Sequence, residues 1–413
     1  MGNKLIVIKN LLWCSLFFVS ILNTKGNAAE NNRIYAGTAM VDITPDSVPD
    51  SLVHDHQFIR VVAFSDGKKK ALLIIQETMF TSDKLWEEMT KRIEKETGIP
   101  PEYVVLSAIH THSSVPVGNG FNDKMMGCVK EAIANLGPAK IGAGKGVCNY
   151  NMNRRARAAN GLIWLGKDPD APCDHELSVL KVENNNGEPL SLMVNYAAHG
   201  VINWPRPKLH SGDWPGAASR FVEAVFQNKV TVPISIGASG DINPLYYAEY
   251  PFDFDTEEIE GNGMIIDANL VTGMFVGEEA VRVAKNITTY PSGKISAVQK
   301  ILTLTGKKRF PTKKPNQTIE SGEDLHVRLS VLKIGNIVFA GLGGEVMTEI
   351  GMHLKEQSPY KNTFVITHCN GNCGYLITDN AFKEGGYEPM VSHSTPGTEK
   401  ALVENLLEMI SGL

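Results

Sequence analysis

Short apolar runs recur along the chain, with amphipathic stretches between them. Seven of these runs have the nearly continuous, β-branched character that is typical of strands buried on both faces. They cover residues 60–64, 71–76, 103–109, 190–198, 233–237, 328–342 and 363–367. Because strands and helical patterns alternate, we predict an α/β fold in which mixed β-sheets form the core and α-helices flank them.

Four stretches place apolar residues at helical spacing. They cover residues 81–98, 216–227, 345–357 and 397–410. The first has the clearest boundaries, since Ser82 or Asp83 can cap its start and Gly98 can end it. Residues 305–324 follow neither the strand nor the helix period. They predict a long loop, either on the surface or at a boundary before the last third of the chain.

The first 28 residues are typical of a secretory signal peptide. Lys4 and Lys9 precede an apolar run over residues 11–22, which has about the length of a signal-peptide core. Ala28 and Ala29 supply the small residues of a cleavage position. We therefore predict an exported, periplasmic or extracellular protein with one large domain over residues 29–413. An uncleaved membrane anchor is the alternative.

The charge pattern limits the classes of partner. The formal net charge is −5 and no long run of Lys or Arg occurs. Because phosphate binding needs a basic surface, the pattern argues against nucleic acid. No long apolar surface helix indicates stable membrane docking, which leaves transient membrane contact. We expect a small-molecule, lipid or glycan substrate, and the oligomeric state stays open.

The cysteines leave several pairings open. Removal of the signal peptide takes Cys14 and leaves Cys128, Cys148, Cys173, Cys369 and Cys373. An odd set in an exported chain allows at most two disulfides. Cys369 and Cys373 can form a short bridge, or the first three can pair among themselves.

Polar residues cluster where the apolar runs end, which is where α/β enzymes place their chemistry. His110 and His112 follow the run 103–109, and they share a face if the chain stays extended. His199 follows the run 190–198 in the same way. Asp213 can cap the next helix or orient a metal-bound histidine. Glu345 lies at a predicted helix start, where it can complement the helix dipole or bind a metal.

Short motifs in the chain resemble the catalytic domain of the neutral/alkaline, non-lysosomal ceramidases. The resemblance begins at "AGTAMVDITP" (36–45) and extends to the end of the sequence. It is carried, in order, by "HTHS", "NRR", "YAAHG", "SGD", "GDINP", "GE" before a helix, and "GY" followed by "YE". The resemblance implies the fold and metal centre of that family, without a counterpart of its C-terminal immunoglobulin-like domain.

The resemblance also implies a zinc site. Its four ligands correspond to His110, His199, Glu345 and Tyr375. Two histidines, a carboxylate and a phenolate suit Zn²⁺ with an open position for water or substrate.

Five further residues correspond to the reacting part of the family's site. They are His112, Arg154, Asp241, Asn243 and Tyr387. The resemblance implies that His112 faces the substrate, that Arg154 holds the reacting carbonyl, and that Tyr387 lies near the oxyanion. Asn243 occupies the position of a serine that is implicated in attack on the amide, and "HSSVP" replaces a glycine-rich loop. These departures make ceramide an uncertain substrate.

The sequence therefore supports three hypotheses. The first is an exported zinc-dependent hydrolase that cleaves an amide or ester of a lipid or glycan-type substrate with a zinc-bound water. The second is a metal-dependent lyase or esterase that acts on acidic or acylated glycans, since a metal, an arginine and a tyrosine can hold a carboxylated sugar. The third is a non-catalytic binding protein with a retained metal site.

Overall fold

The computed structural model describes residues 33–114, 118–203, 209–245 and 268–413. The predicted signal peptide, residues 1–28, lies outside the described residues, so its prediction stands as made. The described residues form an α/β fold with mixed sheets and flanking helices, which confirms the predicted fold class.

The strands supply the four sheets of the fold. They are β1 (Tyr35–Asp42), β2 (Phe58–Ser65), β3 (Lys70–Gln76), β4 (Val104–Ala108), β5 (Gly137–Val147), β6 (Asn151–Arg157), β7 (Ile163–Asp168), β8 (Glu176–Asn184), β9 (Pro189–Tyr196), β10 (Ile234–Ile236), β11 (Ile242–Pro244), β12 (Ile295–Leu304), β13 (Leu325–Ile334), β14 (Ile337–Leu342), β15 (Glu345–Val346), β16 (Asn362–Ile366) and β17 (Tyr375–Leu376). The largest sheet has the order β10-β9-β8-β5-β1-β2-β3-β4, and a second has the order β12-β13-β14-β16. There are two smaller sheets, β11-β6-β7 and β15-β17. Their strands lie between or after those of the large sheets in the sequence.

The helices cover the sheets. They are α1 (Asp83–Thr97), α2 (Phe121–Ala134), α3 (Asp213–Val225), α4 (Ala268–Lys285), α5 (Thr348–Gln357), α6 (Asp379–Glu384), α7 (Tyr387–Val391) and α8 (Thr398–Ser411). The predicted boundaries of the first helix are confirmed, because the Ser82 hydroxyl accepts from the Leu85 amide at 3.1 Å and Gly98 ends the helix at φ 72°. None of the helices in the described ranges has the length and apolarity that a membrane span requires.

Two predicted elements have different boundaries in the structure. The apolar run 328–342 is a hairpin of β13 and β14, because Gly335 adopts φ 62° and turns the chain between Ile334 and Ile337. The predicted helix 345–357 begins only at Thr348, and Glu345 belongs to the short strand β15. Glu345 therefore does not complement a helix dipole. The loop predicted over residues 305–324 is confirmed, since neither a strand nor a helix interrupts it.

The cysteines described by the structure are all free thiols. Cys128, Cys148 and Cys369 are buried, and Cys173 and Cys373 are partly exposed. The short bridge between Cys369 and Cys373, considered above, is not formed. Burial raises the pKa of the Cys373 thiol to about 12, so the thiol is uncharged at neutral pH.

The carboxyl ends of strands from both large sheets meet at one place. The Thr367 amide, just after β16, donates to the carbonyl of Ile236 in β10 at 3.0 Å. The Thr367 carbonyl accepts from the hydroxyl of Ser107 in β4 at 2.8 Å. The segments after β4 and β9 are joined by a bridge between Thr111 and Gly200. These contacts bring the polar residues that follow the strands together.

Candidate metal centre

The two predicted histidine ligands, His110 and His199, both direct Nε2 toward Glu345 and Nδ1 toward a backbone carbonyl. His110 directs Nδ1 at the Met79 carbonyl at 2.8 Å, and His199 directs Nδ1 at the Ser239 carbonyl at 2.6 Å. Since a carbonyl only accepts, each Nδ1 carries the proton, and each Nε2 carries a lone pair. Backbone carbonyls are the usual outer partners of metal-binding imidazoles.

The Glu345 carboxylate lies where these lone pairs converge. Its Oε2 is 3.3 Å from Nε2 of His110 and 3.3 Å from Nε2 of His199. Nε2 of His112 is 3.2 Å from Nε2 of His110. When both rings are neutral with the proton on Nδ1, no proton lies between Glu345 and the ligand nitrogens, so electron pairs face one another without a donor. This arrangement fits a bound cation, which would replace mutual repulsion by coordination.

The three imidazoles form one compact group. The donor nitrogens of His110, His112 and His199 all lie within 4.8 Å of one another, and His110 and His199 are buried. Burial lowers the pKa of His199 to about 4, and it lowers the pKa of His112 well below its ordinary value. Both rings are therefore neutral at neutral pH, as metal ligation and general-base chemistry require. His112 thus lies within reach of the metal position.

Glu345 and Tyr375 are held side by side by strand pairing. The strands β15 and β17 are parallel, with Glu345 directly opposite Tyr375. Burial would raise the pKa of Glu345, but positive charge and hydrogen bonds from His110 and His199 would hold it well below its ordinary value. With neutral rings, a bound cation would supply that positive charge instead. Burial raises the pKa of Tyr375 well above its ordinary value, and Glu345 adds to this although Arg154 opposes it. A cation at the centre would favour the phenolate.

Close backbone approach explains the glycine after His199. The Gly200 carbonyl accepts from the His112 amide at 2.9 Å. A Cβ atom on Gly200 would lie 2.8 Å from the His110 carbonyl oxygen. His110 itself adopts φ 60°, a left-handed conformation that costs energy for a residue with a side chain. The structure thus stores local strain where the two histidine segments meet.

Arg154 is embedded in a buried hydrogen-bond network. Its Nε donates to Glu388 at 2.9 Å, and its Nη2 donates to the Tyr375 hydroxyl at 2.9 Å and the Gly240 carbonyl at 2.8 Å. Its Nη1 donates to the side-chain oxygen of Asn243 at 3.4 Å. The guanidinium therefore places Tyr375 beside the metal position and keeps a positive charge close to it.

The carboxylate of Glu388 was not predicted from the sequence. It is fully buried and bonds to Arg154 and, at 2.7 Å, to Arg155. A single acidic residue in the first turn of the five-residue helix α7 gives little local signal. The adjacent arginines in β6 were visible, and two neighbouring buried cations require an acidic partner somewhere.

Tyr387 lies beside both Arg154 and Tyr375. Its ring meets the Tyr375 ring edge-on, with centroids 5.9 Å apart, and the Arg154 guanidinium carbon is 5.9 Å from its centroid. The side chain is half-buried, unlike Tyr375. Tyr387 therefore stands at the edge of the centre, where it can meet a ligand that enters from solvent.

Asp241 and Asn243 lie on the short turn that pairs with β6. The Asp241 carboxylate accepts from the Thr348 amide at 2.8 Å and from Asn153 at 3.1 Å, and burial raises its pKa to about 6. Asp241 thus caps the start of α5 and fixes the turn. Asn243 pairs with Met152 in the adjoining strand and faces Arg154.

Asp213 acts as a backbone cap. Its carboxylate accepts from the amides of Ile202 at 3.3 Å, Asn203 at 2.9 Å and Trp214 at 2.8 Å. The alternative role, orienting a metal-bound histidine ring, does not match these contacts. Its link to the centre is indirect, because the neighbouring Trp214 indole donates to the His199 carbonyl at 2.9 Å.

The sequence analysis did not predict a further buried imidazole beside His110. His368 stacks on His110 with ring centroids 3.9 Å apart and planes inclined by 14°. Burial lowers its pKa well below the ordinary value, so the ring is neutral. His368 follows the strand predicted at 363–367, so the strand-end rule that singled out His110 and His199 would also have found it. Its stacking fixes the plane of the His110 ring.

Comparison with known proteins shows the fold. No family model matches the sequence. The solved structure of neutral ceramidase from Pseudomonas aeruginosa has a TM-score of 0.74, is 15% identical, and is matched over 92% of this chain and 74% of that chain. A structure described as ceramidase complexed with C2 has the same TM-score and identity, with coverages of 92% and 75%. The resemblance found in the sequence is therefore confirmed at the level of structure: the chain is a divergent protein with the fold of the neutral ceramidase catalytic domain.

Proposed function

We propose that the protein is a zinc-dependent hydrolase of the ceramidase type that cleaves an amide or ester bond with water as the attacking group. One observation carries the proposal: two imidazole lone pairs and a carboxylate oxygen converge, at 3.3 Å, with no proton to separate them. The fold shared with neutral ceramidases supports the reaction class.

The proposed zinc ligands are His110, His199, Glu345 and Tyr375. The set supplies nitrogen and oxygen donors, and the tautomers inferred from the carbonyl contacts at Nδ1 leave both Nε2 atoms available to a metal. Zinc at such a site supplies a Lewis acid and a water of lowered pKa. Arg154 stabilises Tyr375 as an anionic ligand, because it donates to the phenol oxygen.

The surrounding residues would handle the proton and the developing charge. His112 is neutral, so it can accept a proton from the attacking water and return it to the leaving group. Arg154 uses four N–H contacts on described residues, which leaves one of its five for a reacting oxygen. Together with the Tyr387 hydroxyl it would form an oxyanion site, in which one donor is typically worth about 3–4 kcal/mol.

Asn243 supports attack by water. An amide cannot act as an alkoxide nucleophile, and its side-chain oxygen already accepts from Arg154. The Asn243 amino group is then the end that can donate to the oxyanion or hold a water. Asp241, whose carboxylate is engaged by Thr348 and Asn153, acts by placing Asn243 and not as a proton donor.

A metal assay tests the ligand set. We expect near-stoichiometric zinc in the purified protein and its loss in His110→Ala and His199→Ala. His326→Ala, at an exposed histidine of β13, is the matched control and should keep its zinc. Full zinc occupancy in both ligand variants would show that the assignment is wrong.

A product assay separates hydrolysis from elimination. Lipid amides, acylated sugars and uronate polymers should be compared in water enriched in heavy oxygen. Hydrolysis places the heavy oxygen in the product. An unsaturated uronate without heavy oxygen would instead support the lyase alternative, and zinc-loaded protein without turnover of any of the three would support a binding protein. Export is part of the proposal, and a mature N-terminus after residue 28 would support it.

A further inference from the structure

The loop between β12 and β13 forms a wall beside the proposed centre. The Phe310 amide donates to the Met390 carbonyl at 3.0 Å, and the Gly386 amide donates to the Lys313 carbonyl at 2.9 Å. Phe310 also packs in one apolar cluster with Tyr375 and Tyr387. This loop, which the sequence predicts only as an irregular segment, borders Tyr375 and Tyr387.

The wall carries an excess of positive charge. Its accessible cations are Lys308, Arg309, Lys313 and Lys314, Lys307 is buried, and its acids are Glu320, Glu323 and Asp324. The acids of the facing segment are already engaged, since Glu388 bonds to Arg154 and Arg155 and Glu384 bonds to Arg155 and Arg157. The loop therefore has more cations than acids in a chain whose net charge is −5, and exposed positive charge attracts anions.

Lys307 makes this wall rigid. Its side chain is fully buried, and its Nζ donates to the Ser392 carbonyl at 2.6 Å and the Pro389 carbonyl at 3.0 Å, at the end of α7. The same nitrogen lies 3.8 Å from the centroid of the Phe310 ring. The backbone around residue 309 is therefore fixed relative to Tyr387.

Arg309 is oriented by a relay through His393. Nδ1 of His393 donates to the Lys307 carbonyl at 3.1 Å, so Nε2 is free to accept, and it accepts from Nε of Arg309 at 3.3 Å. Among the described residues, the terminal Nη groups of Arg309 have no partner, and the side chain is exposed. The backbone next to Arg309 is tied to the Tyr387 helix, because the Phe310 amide donates to the carbonyl of Met390, three residues after Tyr387.

We propose that Arg309 binds a carboxylate on the substrate, at the Tyr387 side of the metal centre. The paired Nη groups of a held guanidinium match the two oxygens of a carboxylate. The substrate class is then an acidic molecule rather than an uncharged sphingolipid amide. The inference rests on the proposed location of the active centre, but it concerns binding and does not require turnover.

Direct binding measurements test the proposal. Calorimetric titration of the zinc-loaded protein should use D-glucuronate and D-glucose, which share a sugar ring and differ in charge. Hexanoate carries the same carboxylate on an acyl chain and distinguishes a glycan from a lipid source. We expect glucuronate to bind at least about tenfold more tightly than glucose, which corresponds to about 1.4 kcal/mol.

Variants locate the carboxylate. Arg309→Ala should lose most of this preference, and Arg309→Lys should retain part of it because the charge remains without the fork. Lys308→Ala is the matched control: it removes the same charge from the same loop, but Lys308 is already paired with Glu320 at 3.3 Å. Unchanged preference in Arg309→Ala, equal loss in Lys308→Ala, or no preference in the parent protein would each overturn the inference. Zinc content and heavy-oxygen incorporation judge the proposed function separately.

Discussion

Substitution of Gly200 by alanine would test whether the close contact of the two histidine segments builds the metal centre. The added Cβ would lie 2.8 Å from the His110 carbonyl oxygen and 3.0 Å from Cα of Thr111. Ordinary contacts begin at 3.4 Å, so the two backbones must separate by about 0.6 Å, the difference between 3.4 and 2.8 Å. Both atoms belong to backbone, so no flexible side chain can move aside.

This displacement is comparable to the tolerance of a metal site, which is about 0.5 Å. We expect Gly200→Ala to lower the free energy of unfolding of the metal-free protein by about 1–3 kcal/mol, as overpacking usually does. We also expect zinc affinity to fall about 10–100-fold, the range seen when the supports of metal ligands are altered. Urea unfolding and competitive zinc titration measure the two effects.

Gly127→Ala is the matched control for this change. Gly127 is exposed in α2, and a Cβ there would meet nothing within 4 Å. The control should gain up to about 1 kcal/mol from helix propensity and leave zinc affinity unchanged. If Gly200→Ala behaved like Gly127→Ala in both assays, the argument that Gly200 sets the distance between the histidines would be wrong.

Three further changes probe the network around the centre. Glu388→Gln leaves Arg154 and Arg155 without their shared carboxylate and should cost about 3–5 kcal/mol in chemical denaturation; a cost near zero would contradict the network. Burial raises the pKa of Asp241 from 3.8 to about 6, so its contribution to stability is fully present below pH 3.8 and is lost as the pH rises through about 6. Wild-type stability relative to Asp241→Asn should therefore fall by about 3 kcal/mol between pH 4 and pH 7 in urea unfolding, and a constant difference would refute the shift. Lys307→Met removes the donor to two carbonyls at the end of α7, so hydrogen exchange over residues 387–392 should accelerate, with no such change in Lys308→Ala.

The strands that sequence predicts best are those with β-branched residues on both faces, such as β2 and β3. The strand β5 escaped prediction because Gly142, Gly144 and Gly146 interrupt any apolar pattern. The structure explains these glycines, since a Cβ on Gly144 would lie 2.8 Å from the Ile287 side chain. These glycines allow close packing against a segment that is distant in the sequence. Local strand propensity carries no information about such a contact.

The candidate site likewise contains residues that the sequence predicts and residues that it does not. His110 and His199 could be predicted because each follows directly after an apolar run that indicates a buried strand. The helix start predicted at Glu345 was wrong because a two-residue strand, paired with Tyr375, intervenes. The role of Glu388 can be recognised only once β6 and α7 are in contact, because its partners Arg154 and Arg155 lie more than 200 positions earlier in the sequence.

The pairing of Glu345 with Tyr375 also bears on when the centre can exist during folding. These residues are joined by strands of only two residues, and His110 and His199 come from the first half of the chain. Such distant segments meet only after most non-local contacts have formed. In the proposed metal-bound protein, metal capture would be a late step of folding, and the ion would hold together segments that are far apart in the sequence. Resistance to proteolysis should therefore rise with metal loading across the whole domain and not only at the centre.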